Sequence, residues 1–220
     1  MLHQTVGLFA QPLTKVEINI DGISDFFDNV IDKKEKVKTT NECRDQNVIG
    51  SSDLTHYYNN SNVFTIYPEL EELHNSILES ANFVYKKVMN NKNSLFITNA
   101  WFNQCGLNGY QFTHNHTNSI LSGTLYIRTD KNTNIQFESS YGDCSFANSL
   151  SDNPDLDTEN EYGYKFHLKT CTVYVSDGTC LFWPSYMKHG YFNNKTPNRL
   201  SLSFNLMPTS VNNLYKPYVA

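Results

Sequence analysis

Apolar residues recur every three or four positions in two stretches of the first 94 residues. This spacing places them on one side of a helix, so it predicts two amphipathic helices. The first stretch covers residues 23–31, and the second runs from Pro68 to residue 88, with a proline that suits the first turn of a helix. Residues 6–20 are expected to form an entry strand. The first part of the chain therefore predicts helices preceded by one strand.

The pattern changes at residue 95, where short alternating runs broken by Gly, Asn, Asp and Pro begin. Such runs are typical of a barrel or a sandwich. The expected strands are 95–103, 109–116, 120–128, 133–138, 164–168, 171–176, 179–183, 188–193 and 199–207. An acidic stretch at 139–163 interrupts them and is either a lid or binding loop or a disordered insertion. The fold class is therefore expected to be α+β.

Composition narrows the class of protein. The chain has 220 residues, of which 14% are aromatic, a length and a composition that suit one β-rich domain. A net charge of -5 makes nucleic acid an unlikely main partner. The five cysteines are odd in number and show no CxxC, which favours a reducing cytoplasm over a disulfide framework. No apolar run is long enough for a signal peptide or a membrane span, so we expect a cytoplasmic protein without a membrane partner.

Two histidines stand two positions apart in the segment QFTHNHT. Side chains two apart on a strand point to the same face, so His114 and His116 are expected to project together. An isolated HxH is weak support for a metal site in a chain with seven histidines, and it needs further context. His56 and His74 are expected to have surface or structural roles.

A second group of polar residues follows near the end of the strand region. Here His189 precedes a hairpin, and Arg199 begins the next strand with Ser201 on the same face. A buried guanidinium needs an anionic partner, and a carboxylate offers charge-assisted, bidentate hydrogen bonds. The alternative is a structural ion pair, for instance with Glu138.

Together, His114, His116, His189 and Arg199, ten residues after the last histidine, resemble the layout of the 2-oxoglutarate/Fe(II) oxygenases. The matching stretches are NQCGLNGYQFTHNHTNSILSGTLYI, GTCLFWPSYMKHG and NRLSLSFN, spread over about half of the chain. The sequence is most similar to a branch related to prolyl 4-hydroxylases, with members in phages and marine bacteria. A phage-encoded member would work in the host cytoplasm.

One residue departs from the family at large, which has a carboxylate where this chain has His116. A third imidazole leaves as many metal positions open as a carboxylate does, but it contributes no negative charge. The branch that this chain resembles uses HxH itself. The alternative is that one histidine of the pair lies outside the metal site, with Asp143 or another loop carboxylate completing it.

The resemblance implies a set of ligands and a set of cosubstrates. It implies Fe(II) held by His114, His116 and His189, with 2-oxoglutarate and O2 as cosubstrates. Ascorbate could serve as an accessory reductant. Arg199 and Ser201 would bind 2-oxoglutarate, and Tyr126 would assist them unless it is a core tyrosine. Asn103 would position cosubstrate or substrate, whereas core packing is expected for Trp101.

The resulting expectation is a single domain over residues 1–220. Its core would be a double-stranded β-helix over 95–207, supported by the strand and helices of 1–94 and followed by a tail at 208–220. It would hydroxylate a small molecule, a peptide or a protein, either as a monomer or as a homodimer. The alternatives are a cupin-type metal enzyme that does not use 2-oxoglutarate and a non-catalytic binding or structural barrel.

Overall fold

The computed structural model describes residues 11–34, 50–51, 54–57, 62–138 and 170–210. Several predictions fall outside these ranges. They concern the first residues of the entry strand, the stretch 139–163 with Asp143, the strand 164–168, and most of the tail at 208–220.

Both predicted helices are present, and each includes a π-helical turn. The helical segments are α1 (Ile23–Phe26), a π turn (Phe27–Ile31), α2 (Asp32–Lys34), a 3-10 turn (Pro68–Leu70), α3 (Glu71–Phe83) and a second π turn (Val84–Val88). Pro68 stands in the first turn, where its missing N–H leaves no hydrogen bond unmade. In the part of the chain that the structure describes, no helix is both long and apolar enough to cross a membrane.

The strands form two antiparallel sheets. In chain order they are β1 (Thr14–Glu17), β2 (Leu54–Tyr57), β3 (Leu95–Cys105), β4 (Gln111–His114), β5 (Leu121–Arg128), β6 (Asn134–Glu138), β7 (Thr170–Tyr174), β8 (Thr179–Pro184), β9 (His189–Tyr191) and β10 (Arg199–Pro208). The larger sheet has the order β1-β8-β5-β10-β3-β2, and the smaller has the order β4-β9-β6-β7. The described part of the chain is therefore mostly β-sheet with two helical regions.

The predicted strands within the described residues are all present, and one further strand appears. The entry strand, predicted over 6–20, covers only Thr14–Glu17, although residues 11–13 and 18–20 are described. The other predicted strands have ends that differ by one or two residues. Strand β4 ends at His114 rather than at residue 116, because the His116 N–H donates to the Ser185 carbonyl and not to the neighbouring strand β9. Strand β9 ends at Tyr191 rather than at residue 193. Strand β2 lies in a polar stretch that showed no strand pattern, and it pairs with β3 at the sheet edge.

The larger sheet packs against the helices through one apolar face, and its other face combines apolar side chains of β8 with polar side chains of β3, β5 and β10. The apolar side chains of its strands pack with the helices in one core cluster that includes Phe102, Leu125, Phe182, Leu202 and Phe204. A second, smaller cluster around Trp183 joins side chains from both sheets. The polar side chains of β3, β5 and β10 are on the other face, which the next section describes.

Two glycines on strands, Gly123 and Gly190, allow close approach of neighbouring groups. A Cβ atom at Gly123 would lie 2.4 Å from the Phe204 ring, and one at Gly190 would lie 2.6 Å from the Gln111 carbonyl oxygen. No side chain fits at such distances without a shift of the surrounding structure. Gly190 thereby lets β4 approach β9 next to His189.

Candidate metal centre

Three histidines converge at one edge of the smaller sheet. His114 ends β4 and lies directly opposite His189, the first residue of β9, in the strand register. His116 follows two residues after the end of β4, and its ring centroid lies 5.2 Å from that of His114 and 5.1 Å from that of His189. One ligand nitrogen from each ring lies within 4.8 Å of the other two, an arrangement that suits a single metal ion.

Hydrogen bonds determine which nitrogen of each ring faces the cluster. Nδ1 of His114 is 2.9 Å from the Phe112 carbonyl oxygen, and Nδ1 of His189 is 3.0 Å from the Met187 carbonyl oxygen. A carbonyl oxygen only accepts, so both Nδ1 atoms must carry the proton. The neutral rings then keep a lone pair on Nε2, the usual arrangement of histidine ligands.

Burial also keeps the rings uncharged. It lowers the pKa of His189 to about 3, and repulsion from His114 adds to the effect. It lowers the pKa of His114 to about 4 against the opposing backbone hydrogen bond, and it lowers the pKa of His116 as well. At neutral pH the three imidazoles are therefore neutral and their lone pairs are available to a metal.

A buried cation lines the same cleft as the histidines. Arg199 is 4% exposed, and its Nη2 donates to the Asn134 carbonyl oxygen at 3.3 Å. Its guanidinium carbon lies 3.6 Å from the centroid of the Tyr191 ring. Among the described residues, ion pairs join only Lys15 with Glu17 and Arg128 with Asp28, so the alternative ion pair of Arg199 with Glu138 is absent there.

Two polar atoms beside this cation have no hydrogen-bond partner among the described residues. They are Nε of Arg199 and the hydroxyl oxygen of Tyr126, a side chain that is fully buried. Burial raises the pKa of Tyr126 to about 12 despite the nearby Arg199, so the hydroxyl keeps its proton at neutral pH. A buried donor without a hydrogen-bond partner costs free energy. The two donors here, Nε of Arg199 and the Tyr126 hydroxyl, could both donate to the oxygens of an anionic ligand.

Ser201 and Asn103 line the cleft too. Ser201 is opposite Asn103 on one side and opposite Tyr126 on the other in the strand register. The Asn103 amide donates to Ser203 Oγ at 2.9 Å, and its oxygen accepts from Nδ1 of His56. His56 is therefore not a surface residue, because it is partly buried beside a residue of the cleft and burial lowers its pKa.

The sequence did not single out several other residues of the cleft. They include Gln111, Tyr191 and, behind His116, Asn205. Strand parity could have found two of them, because Tyr191 is two residues from His189 and Asn205 shares the face of Ser201. Trp101, expected in the core, instead lines the cleft with its ring centroid 6.0 Å from that of His116.

Comparison with known proteins identifies the family. Residues 99–205, which include all three histidines and Arg199, match the family model described as "Putative 2OG-Fe(II) oxygenase". The chain belongs to the 2-oxoglutarate/Fe(II) oxygenase superfamily. No curated protein matches it by sequence. The enzyme therefore uses Fe(II), 2-oxoglutarate and O2, and the cluster of three histidines suits the iron.

Solved structures of this superfamily share the fold. HygX from Streptomyces hygroscopicus, solved with nickel, 2-oxoglutarate and hygromycin B, has a TM-score of 0.58 at 10% identity, covering 90% of this chain and 84% of HygX. The α-ketoglutarate-dependent epimerase SnoN from nogalamycin biosynthesis has a TM-score of 0.56 at 12% identity, covering 90% and 78%. A Pseudomonas putida prolyl-4-hydroxylase has a TM-score of 0.52 at 8% identity, covering 89% and 92%.

Proposed function

We propose that this oxygenase is a hydroxylase in which His114, His116 and His189 hold Fe(II) and Arg199 binds the far carboxylate of 2-oxoglutarate. One observation carries the proposal: the cleft combines three neutral imidazoles with a buried guanidinium that has no carboxylate partner among the described residues. A dicarboxylate that chelates a metal through one carboxylate and meets a cation through the other satisfies both groups.

The bound Fe(II) and 2-oxoglutarate supply the oxidation, in which O2 gives one oxygen atom to succinate and one to a substrate C–H while CO2 is lost. The protein supplies binding and orientation. Its three imidazoles would hold the metal without adding charge, so the negative charge at the site would come from 2-oxoglutarate. The rings are held in place by hydrogen bonds at Nδ1, which keep Nε2 directed to the cluster.

Three further side chains are proposed to bind the cosubstrate around Arg199. Tyr126 would donate its protonated hydroxyl to a carboxylate oxygen, since that hydroxyl has no partner among the described residues. Ser201, next to Tyr126 in the strand register, would donate a second hydrogen bond. The Asn103 amide, oriented by His56 and Ser203, would contact 2-oxoglutarate or the substrate.

We further propose that the two sheets form a double-stranded β-helix within a single domain, with the helices packed outside it. The sheet orders and the shared fold of superfamily structures support this arrangement. The packing of α3 and the first helical region against the apolar face of the larger sheet supports it as well, because this leaves the polar face for the ligands.

The substrate is proposed to be a small molecule, a peptide or a protein in the cytoplasm. The net charge of -5 disfavours nucleic acid and other polyanions, because a polyanion would be repelled before it reached the cleft. Hydroxylation of a peptide-bound proline is one reaction that the resemblance to prolyl 4-hydroxylases suggests.

Binding measurements on purified protein test the assignment of residues. Under anaerobic conditions the wild type is expected to bind one Fe(II) per chain and then 2-oxoglutarate, both followed by calorimetry, and to form succinate in air. His189→Ala should lose the metal. Arg199→Leu should keep the metal and lose 2-oxoglutarate, whereas Arg128→Leu, which removes an arginine paired with Asp28, should keep both.

The outcomes also separate the two alternatives. A wild type that takes up no Fe(II), Mn(II) or Ni(II) at stoichiometric level would indicate a non-catalytic barrel. If neither the wild type nor Arg199→Leu bound 2-oxoglutarate and the variant retained turnover, the chain would be a cupin-type enzyme. The buried position of Arg199 argues against both alternatives, because neither needs a cation in the cleft.

A further inference from the structure

The three histidines are held in different ways. His114 and His189 each donate to a backbone carbonyl two residues earlier, and any residue type at that position would supply the same oxygen. His116 instead faces side chains, because its Nδ1 is hydrogen-bonded to Oδ1 of Asn205 on β10 and lies 3.2 Å from Oγ of Ser122. The orientation of the third ring therefore depends on side chains, and Asn205 makes the shorter of the two contacts.

A row of three serine hydroxyls, two of them buried, leads to the same oxygen atom. Ser119 donates to Ser185 at 2.8 Å, Ser185 and Ser122 are 2.8 Å apart, and Ser122 donates to Asn205 Oδ1 at 2.8 Å. Each hydroxyl has one hydrogen to donate. Ser122 uses its hydrogen on Asn205, so in the contact between Ser185 and Ser122 the donor must be Ser185. All the hydrogens of the row then point toward Asn205.

The direction of this row determines the tautomer of His116. Oδ1 of Asn205 accepts from Ser122 and has a second lone pair, which only a donor can use, so Nδ1 of His116 must carry its proton. Nε2 then keeps the lone pair that a metal requires. Asn205, Ser122 and Ser185 are at most 5% exposed, so water competes little for these hydrogen bonds.

We infer that Asn205 is the positioning residue that makes His116 a metal ligand, an inference that rests on the proposed three-histidine iron site. Asn205 acts through its acceptor oxygen, and the serines keep that oxygen turned toward the ring. A carboxylate at position 116, as in the family at large, would face this oxygen as a second acceptor and would be repelled. The network is thus matched to an imidazole.

Two substitutions at position 205 test the role of the acceptor. Asn205→Leu keeps the approximate volume and removes the oxygen, whereas Asn205→Asp keeps an acceptor. Calorimetry with Co(II) should show binding weakened about 10- to 100-fold by Asn205→Leu, as is usual when the partner of a ligand histidine is lost. Asn205→Asp should stay within about threefold of the wild type or bind more tightly, since a carboxylate accepts more strongly. The visible spectrum of bound Co(II) should change in the leucine variant only.

Asn82→Leu is the matched control, because Asn82 is a partly buried amide that bonds the backbone of Leu78 and Leu95 away from the histidines. It should lower the melting temperature without changing Co(II) affinity. If Asn205→Leu does not fold, Ser122→Ala replaces it and should weaken Co(II) binding about threefold to tenfold, since one neutral hydrogen bond is lost.

The possible results separate this inference from the proposed function. A wild type that binds no Co(II) would overturn both. If the wild type binds Co(II) and His116→Ala loses it, while Asn205→Leu keeps the wild-type affinity and spectrum, only the role of Asn205 is overturned. Equal weakening by Asn205→Leu and Asn205→Asp would also overturn it, because the acceptor would then make no difference.

Discussion

The two faces of strand β10 are buried to a similar degree, but burial has opposite effects on their free energies. One face packs with the helices through Leu200, Leu202, Phe204 and Leu206, and the other lines or supports the cleft through Arg199, Ser201, Ser203 and Asn205. Burying the apolar face is favourable in itself, whereas burying the polar face costs free energy unless every group finds a partner. The contrast indicates that one face stabilises the fold while the other is kept for ligands.

The largest effect on stability is expected on the apolar face. Phe204→Ala should lower the free energy of unfolding by about 3–5 kcal/mol, because it removes a fully buried ring that contacts Phe182. Urea denaturation measures the loss. The Co(II) and 2-oxoglutarate affinities of the folded fraction should stay unchanged, and a tenfold loss of either would show that the two faces are not independent.

On the polar face the effect should fall on binding instead. Arg199→Leu should weaken 2-oxoglutarate binding by about 2–5 kcal/mol, the usual cost of truncating one partner of a buried charge pair. The metal-free variant should be as stable as the wild type or more stable, because a buried charge without an anionic partner among the described residues is removed. A marked fall in its melting temperature would mean that Arg199 is a structural residue.

Gly123→Ala tests the boundary between the two regions. The added methyl group would clash with the Phe204 ring and the Leu181 carbonyl, so the free energy of unfolding should fall by about 1–3 kcal/mol. Metal affinity should change little, since Gly123 lies on the face away from the histidines. Chemical denaturation and a parallel Co(II) titration give the two quantities, and unaltered stability would contradict the close contact.

The smallest expected effect is that of Tyr126→Phe, which removes only a hydroxyl. Binding of 2-oxoglutarate should weaken by about 0.5–1.5 kcal/mol through the loss of one hydrogen bond. Metal-free stability should not fall, because this hydroxyl has no partner among the described residues. Calorimetry and thermal unfolding test the two statements, and an unchanged 2-oxoglutarate affinity would leave Tyr126 as a core residue.

Much of the fold could be predicted because it follows from local periodicity. The alternation along β10 placed Ser201 on the face of Arg199, and both side chains line the cleft, since the pleat sends alternate side chains to opposite faces. Strand β2 was missed because it is a short, polar strand at the sheet edge, and its place depends on pairing with β3. The hydrogen bond of His56, on β2, with Asn103 was not predicted for the same reason.

The sequence alone therefore determined most of the elements, the alternation of side chains along the strands, and the four residues His114, His116, His189 and Arg199 that resemble the family. Only the tertiary structure decided which of these faces meet. His114 lies opposite His189 because β4 pairs with β9, and His116 meets Asn205, 89 positions away along the chain. Contacts of this kind depend on strand order and register, which are set by the packing of distant segments and leave no periodic trace in the sequence.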